Sequence, residues 1–258
     1  MPESVLLDEL YPQYENAGNV STHLFQLNDS RISRDLNVED LKDILEENDL
    51  IDAFQQRIPI QLIYVPQPVY FNYVDRNGGR IYTRYEYLGR PEILRDPSTR
   101  RLVRLNPLKT AFSCLHVSDG LFEVRTRSRD VAYAVARALR KVFGGQYRDL
   151  SFSRDQLGQW IDWALTLRNA RFKPIAGVLS TLWMTARREL DLRDEEMFKE
   201  WWSRGEPLTG VYIRFEYSKG RLLGFSINAR RGSIYFKSYA SEDEIEFVLK
   251  KAKEILGI

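Results

Sequence analysis

The chain holds one cysteine, Cys114, and two histidines, His23 and His116. A single thiol permits no internal disulfide and no cysteine-rich metal site, which fits a reducing compartment. Neither histidine has another soft ligand at helical metal-binding spacing, so no zinc motif is present. Cys114 and His116 stand two apart, and on a strand they would share a side. They lack a third group to orient a base, so both read as strand residues rather than a nucleophile and its base. No GxxxxGK[ST] phosphate loop, no GxGxxG after a strand and no GxSxG elbow occurs, which removes the usual signatures of nucleotide and serine hydrolysis. No window approaches 18 consecutive apolar residues, and the opening MPESVLLDELYPQYE has neither a basic nor a long apolar stretch. The expectation is a cytoplasmic protein, or a nuclear one in a eukaryote, that is not secreted, has no membrane partner and works without a cofactor.

What is present is a folded composition. With 43% hydrophobic and 29% charged residues over 258 positions, the chain can bury a core as one large domain or two small ones. Its net charge of +2 hides an asymmetry. Residues 1–57 carry 13 acidic and 4 basic side chains, a net of −9, which leaves +11 on the remainder. Of the 38 basic residues 28 are arginine, whose planar fork grips phosphate or carboxylate with two hydrogen bonds at once. A compositional bias toward arginine would give the same count.

The main signal is a phrase written twice: YTRYEYLGR from Tyr82 to Arg90 and YIRFEYSKGR from Tyr212 to Arg221. The likeness continues downstream, with Phe112, Ser113, Gly120, Ser128, Asp130, Val135 and Gly144 opposite Phe225, Ser226, Gly232, Ser241, Asp243, Val248 and Gly257. Alternation reads each copy as three strands and a helix. Val211, Ile213, Phe215 and Tyr217 share one face of their strand, with Tyr212, Arg214 and Glu216 on the other. Phe122, Val124 and Thr126 alternate in the same way with Glu123, Arg125 and Arg127. Each copy closes on a helix whose apolar stripe faces inward, and the second opens on a capping box of Ser241 and Glu244 and ends at Gly257. Two further strands are expected at IQLIYV from Ile60 and VYFNYV from Val69.

These readings give an α+β fold with two βββα repeats in a pseudo-two-fold arrangement. The sheets are antiparallel and curved, and a Trp-rich segment of three helices bridges them. The expected boundaries are an acidic segment over 1–57, repeat 1 over 58–145 with an Arg-rich insertion at 91–107, the bridge over 146–206, and repeat 2 over 207–258. All five tryptophans, at 160, 163, 183, 201 and 202, fall in the bridge. They read as a core that fastens the repeats rather than as exposed anchors.

The outer sheet face mixes arginine, lysine and tyrosine, which together meet both needs of single-strand recognition: charge for phosphates and rings for bases. The expected nucleic-acid contacts are Arg84, Arg125, Arg127, Arg214, Tyr212, Tyr235, Lys237 and Tyr239, with Arg100 and Arg101 from the insertion. The layout resembles tandem sheet-and-helix nucleic-acid binders such as the Whirly and Pur-type proteins. That is a likeness of architecture, since none of their motifs maps onto these residues. The leading expectation is non-enzymatic nucleic-acid binding, with single-stranded nucleic acid among the candidate ligands. The alternative is an interaction subunit whose sheet grips an acidic protein partner. A metal-dependent phosphodiesterase comes third, resting on the paired Arg84–Glu86 and Arg214–Glu216.

Overall fold

The computed structural model describes residues 21–28, 68–77, 80–88, 92–105, 108–116, 118–143, 145–173, 181–187, 190–237 and 240–258. They divide into two units, His23–Arg148 and one built mainly on Asp149–Ile258. Both mix helices with antiparallel strands, so the α+β class is as expected. Tyr239 and the strand expected from Ile60 lie outside the described residues.

In chain order the N-terminal unit runs β1 (Ser21–Asn28), β2 (Pro68–Asn77), β3 (Arg80–Leu88), β4 (Glu92–Arg95), β5 (Leu102–Leu105), β6 (Leu108–His116), β7 (Leu121–Arg125), α1 (Arg129–Phe143) and β8 (Gln146–Asp149). Its strands lie in the order β1-β7-β6-β3-β2, with β8 also paired to β1. The first repeated phrase is β3, which pairs antiparallel with β6 so that Arg84 stands opposite Phe112. The Arg-rich insertion forms its own two-stranded ribbon, β4 against β5.

Residues 21–28, within the segment expected to be acidic, contribute to the core of the N-terminal unit. Leu24, Phe25 and Leu27 of β1 are buried, and the Phe25 ring meets Phe122 at 6.0 Å and the edges of Tyr133 at 5.5 Å and Tyr147 at 5.9 Å. Gly120, at φ 68°, lies against the Leu27 carbonyl of β1 and accepts the Leu27 N–H at 2.9 Å. A side chain at Gly120 would strike that carbonyl, and the positive φ disfavours one independently.

The C-terminal unit runs α2 (Arg154–Trp163), β9 (Thr166–Phe172), β10 (Leu182–Thr185), a 3-10 turn (Leu192–Asp194), α3 (Glu196–Ser203), β11 (Leu208–Ser218), β12 (Arg221–Asn228), a second 3-10 turn (Ala229–Arg231), β13 (Ser233–Phe236) and α4 (Glu242–Leu256). Its strand order is β10-β9-β11-β12-β13, antiparallel at every step. The alternation read in β11 holds: Val211, Ile213 and Phe215 are buried while Arg214 and Glu216 are exposed. The α4 termini also match, with reciprocal Ser241–Glu244 capping hydrogen bonds and Gly257 at φ 74°. Its stripe of Ile245, Val248, Leu249, Ala252 and Ile255 is buried.

The three-helix bridge is corrected. Among the described residues between 153 and 204 the chain forms two helices, a 3-10 turn and two strands, and those strands extend the C-terminal sheet. The reason lies in β9. In its pairing with β11, Tyr212 stands opposite Asn169 and Ile213 opposite Leu167, so Arg168 is an extra, bulged residue. The bulge breaks the period of two and leaves buried residues at 167, 170 and 172, a spacing that does not alternate. The tryptophans fasten helices to this one sheet. Trp160 is fully buried edge-on to Phe225 at 5.7 Å, Trp163 packs on Phe215 at 4.6 Å, and Trp201 meets Phe172 at 5.8 Å. Trp183 is the exception, 63% exposed.

Candidate nucleic-acid interface

With α2, α3 and α4 packing on one side of the C-terminal sheet, its other side carries polar and aromatic residues in rungs that the strand register defines. One rung is Trp183 on β10, Arg171 on β9, Gly210 on β11, Asn228 on β12 and Ser233 on β13. The next is Thr185, Asn169, Tyr212, Ser226 and Tyr235, and beyond it Arg214 stands opposite Gly224. All the non-glycine members of these rungs are at least partly exposed.

Arg171 is held in place from below. Thr209 is an extra residue in β11, since Leu208 pairs with Phe172 and Gly210 with Arg171. Its hydroxyl accepts from Arg171 Nε at 3.0 Å and its carbonyl accepts from Nη2 at 3.1 Å. The guanidinium lies 5.2 Å from the centre of the exposed Trp183 ring, a cation–π pairing. Burial and the neighbouring Arg231 both push Arg171 below the ordinary arginine range, though arginine stays charged at neutral pH. Among the described residues no carboxylate pairs with Arg171. Two like charges side by side without a counter-ion make a place where an anion is favoured.

Tyr212 lies across Gly224, where a Cβ would come 2.6 Å from its hydroxyl and 3.2 Å from its ring. Lys237 Nζ sits 3.7 Å from the ring centre, and Arg214 Nε donates to the hydroxyl at 3.4 Å. The ring thus gathers two cations, and its covered face is not free to stack on a base. Glycine at 224 is what lets the ring lie flat.

The expected site residues separate accordingly. Tyr212, Arg214, Tyr235 and Lys237 share this face. Arg100 and Arg101 lie on the β4–β5 ribbon and are exposed, as is Arg127 after β7. Arg84 occupies a register position in β3, across from Phe112. Arg125 is corrected: it is 4% exposed, and its Nε and Nη2 donate to Glu123 at 3.1 and 3.3 Å. Both faces of β7 are buried, so the polar face expected from its alternation is internal. The residues that sequence reasoning missed, Arg171, Trp183, Asn169 and Thr185, belong to two strands inside the segment expected to hold three helices and the breaks between them.

The Arg214–Glu216 ion pair is also absent among the described residues: Arg214 turns to Tyr212, while Glu216 accepts the Gly220 N–H at 2.9 Å. The structure gathers another donor set instead. Cys114 and His116 on β6 and Glu123 on β7, directly opposite Cys114, place their donor atoms within 4.8 Å of one another, all buried. Glu123 is the third group that the sequence did not pair with them. Burial opposes its ionisation, but the Arg125 charge and the His116 contact at 3.5 Å outweigh that and lower its carboxyl from 4.5 to about 2. Arg125 already compensates the carboxylate, so a divalent ion would leave surplus buried charge. The cluster reads as a buried polar network.

No protein-family model matches the chain, and no curated protein matches its sequence. Among the described residues, no helix is long and apolar enough to cross a membrane.

Proposed function

We propose that the protein binds nucleic acid without catalysing a reaction, and that the open face of the C-terminal sheet is a single-strand binding surface. The observation that carries this reading is Arg171, uncompensated beside Arg231 and paired with an exposed tryptophan. Arg171, Arg214 and Lys237 supply phosphate-neutralising charge across three strand spacings, roughly 14 Å. Trp183 supplies a platform for a base, where one stack contributes about 1–3 kcal/mol. The role assigned to Tyr212 changes from stacking to holding cations. A cytoplasmic or nuclear setting belongs to the same reading.

The duplication read in the sequence is also part of this proposal, together with the pseudo-two-fold relation expected of it. Its support is the shared order of elements, β3-β6-β7-α1 and β11-β12-β13-α4, and a positive-φ glycine before the third strand in each. The middle strands differ by one residue. Thr83 faces Ser113 and then Val124, whereas Ile213 faces Phe225 and then Phe236, so Phe225 corresponds in register to Ser113 rather than Phe112.

The test is fluorescence anisotropy with a labelled single-stranded oligonucleotide and Trp183→Ala and Arg171→Ala variants. Trp183 is exposed, so its loss leaves the fold intact and is expected to weaken binding about 5- to 150-fold, the equivalent of one stack. Unchanged affinity in both variants would remove the reading and favour the interaction-subunit alternative.

A further inference from the structure

The ribbon made by β4 and β5 exposes large apolar side chains on both of its faces. Ile93 is 69% exposed, Leu94 50% and Leu102 73%. Leu94 Cα pairs with Val103 and Arg95 with Leu102, so Ile93, Arg95 and Leu102 share one face and Leu94 takes the other. A ribbon that packed flat on a protein would need only one apolar face. Two apolar faces suit insertion into a cleft whose walls cover both.

Its charge selects the kind of cleft. Arg95, Arg100 and Arg101 are exposed, and among the described residues no carboxylate pairs with any of them. The carboxylate of Asp96, the acidic residue at the tip, is engaged by the turn rather than by an arginine. It accepts from the Ser98 N–H at 2.8 Å, the Ser98 hydroxyl at 2.6 Å, the Thr99 N–H at 3.2 Å and the Thr99 hydroxyl at 2.8 Å. The strands are tied across the turn by Arg100 N–H to Asp96 O at 2.8 Å and Asp96 N–H to Arg101 O at 2.9 Å. Arg100 holds a left-handed φ of 56°, which a non-glycine residue rarely adopts. The ribbon is therefore preformed, basic and apolar on both sides.

We propose that this ribbon is a duplex-binding arm that enters the major groove of DNA. A B-form major groove is about 12 Å wide and admits a two-stranded ribbon. Its phosphates meet Arg95, Arg100 and Arg101, while the deoxyribose C–H surface of the two walls and the thymine methyl groups of the floor meet the apolar side chains on both faces. The inference deepens the nucleic-acid reading by adding a duplex contact that uses none of the residues on the open face of the C-terminal sheet.

The experiment compares labelled duplex and single-stranded DNA of equal length, using the full chain, an Arg95→Ala/Arg100→Ala/Arg101→Ala variant and an Ile93→Thr/Leu102→Thr variant. Threonine keeps strand propensity at exposed positions, so this second variant folds and tests the apolar contribution separately. The triple variant is expected to lose at least tenfold in duplex affinity at low salt and to flatten the salt slope by about 2.7, three phosphates at 0.9 each. Single-strand affinity should stay within twofold. Equal losses on both DNA forms, duplex affinity unchanged in the triple variant, or displacement by a minor-groove ligand would overturn the assignment. So would a dimer of the full chain that the threonine variant abolishes. Duplex binding that depends on the ribbon, with no single-strand binding, would refute the open-face reading and leave the arm standing. Binding to neither form refutes both.

Discussion

Replacing Arg125 by methionine separates a buried structural arginine from a nucleic-acid ligand. Arg125 and Glu123 are 4% and 1% exposed, and the guanidinium donates to both carboxylate oxygens. Removing one partner of such a pair leaves an uncompensated buried charge, which costs about 3–5 kcal/mol. A domain is stable by only about 5–15 kcal/mol, so the loss is a large fraction of the total. At roughly 3–4 °C per kcal/mol for a unit of this size, thermal unfolding followed by circular dichroism should drop by about 10–20 °C. The dependence on pH gives a second signature. The folded Glu123 carboxyl is lowered from 4.5 to about 2, so in the parent its pairing stabilises above about pH 4.5 and that stability is lost as pH falls toward 2. In the variant the unpaired carboxyl is disfavoured only when charged, so the penalty measured at pH 7 should shrink near pH 4. Adding Glu123→Gln to the variant should restore part of the loss, because the unpaired charge is gone. A shift below about 2 °C at pH 7 would refute the buried-pair account, since surface substitutions stay within about 0.5 kcal/mol.

Two glycine substitutions follow from geometry. Gly232→Ala should destabilise the C-terminal unit by more than about 1 kcal/mol in urea unfolding, because Gly232 sits at φ 50° with its missing Cβ directed at the Leu150 carbonyl. An unchanged midpoint would contradict that contact. Gly224→Val should lift the Tyr212 ring and scatter Lys237 and Arg214, which is read as weaker single-strand binding with a native far-ultraviolet spectrum. Full affinity in that variant would show that the ring's seat does not organise the cations.

Where a strand alternates over many residues, the sequence was enough to place it. From Val211 to Glu216 β11 keeps its apolar period of two, and α4 carries its capping box and terminal glycine in plain view. The same alternation misled in β7, because a charged residue every second position looks solvent-facing unless its partner is known. Glu123 and Arg125 neutralise each other inside the unit, and that pairing depends on side-chain geometry rather than on spacing. β9 and β10 were missed for a different reason. A bulge at Arg168 destroyed the period in β9, and β10 is four residues long, too short to display one. With those strands went Arg171 and Trp183, the pair on which the proposed surface most depends. Thr209 could not have been linked to Arg171 from sequence, since the two stand 38 residues apart and meet only through strand pairing.

The central claim rests most directly on the salt dependence of single-strand binding by the full chain. Three or four phosphates neutralised by Arg171, Arg214, Lys237 and Arg231 predict that the logarithm of affinity falls against the logarithm of salt with a slope of about −2 to −3. Replacing Arg171, Arg214 and Lys237 together by alanine should bring that slope close to −1 or shallower. A slope near zero in the full chain, or one that the triple substitution leaves unchanged, would contradict the account.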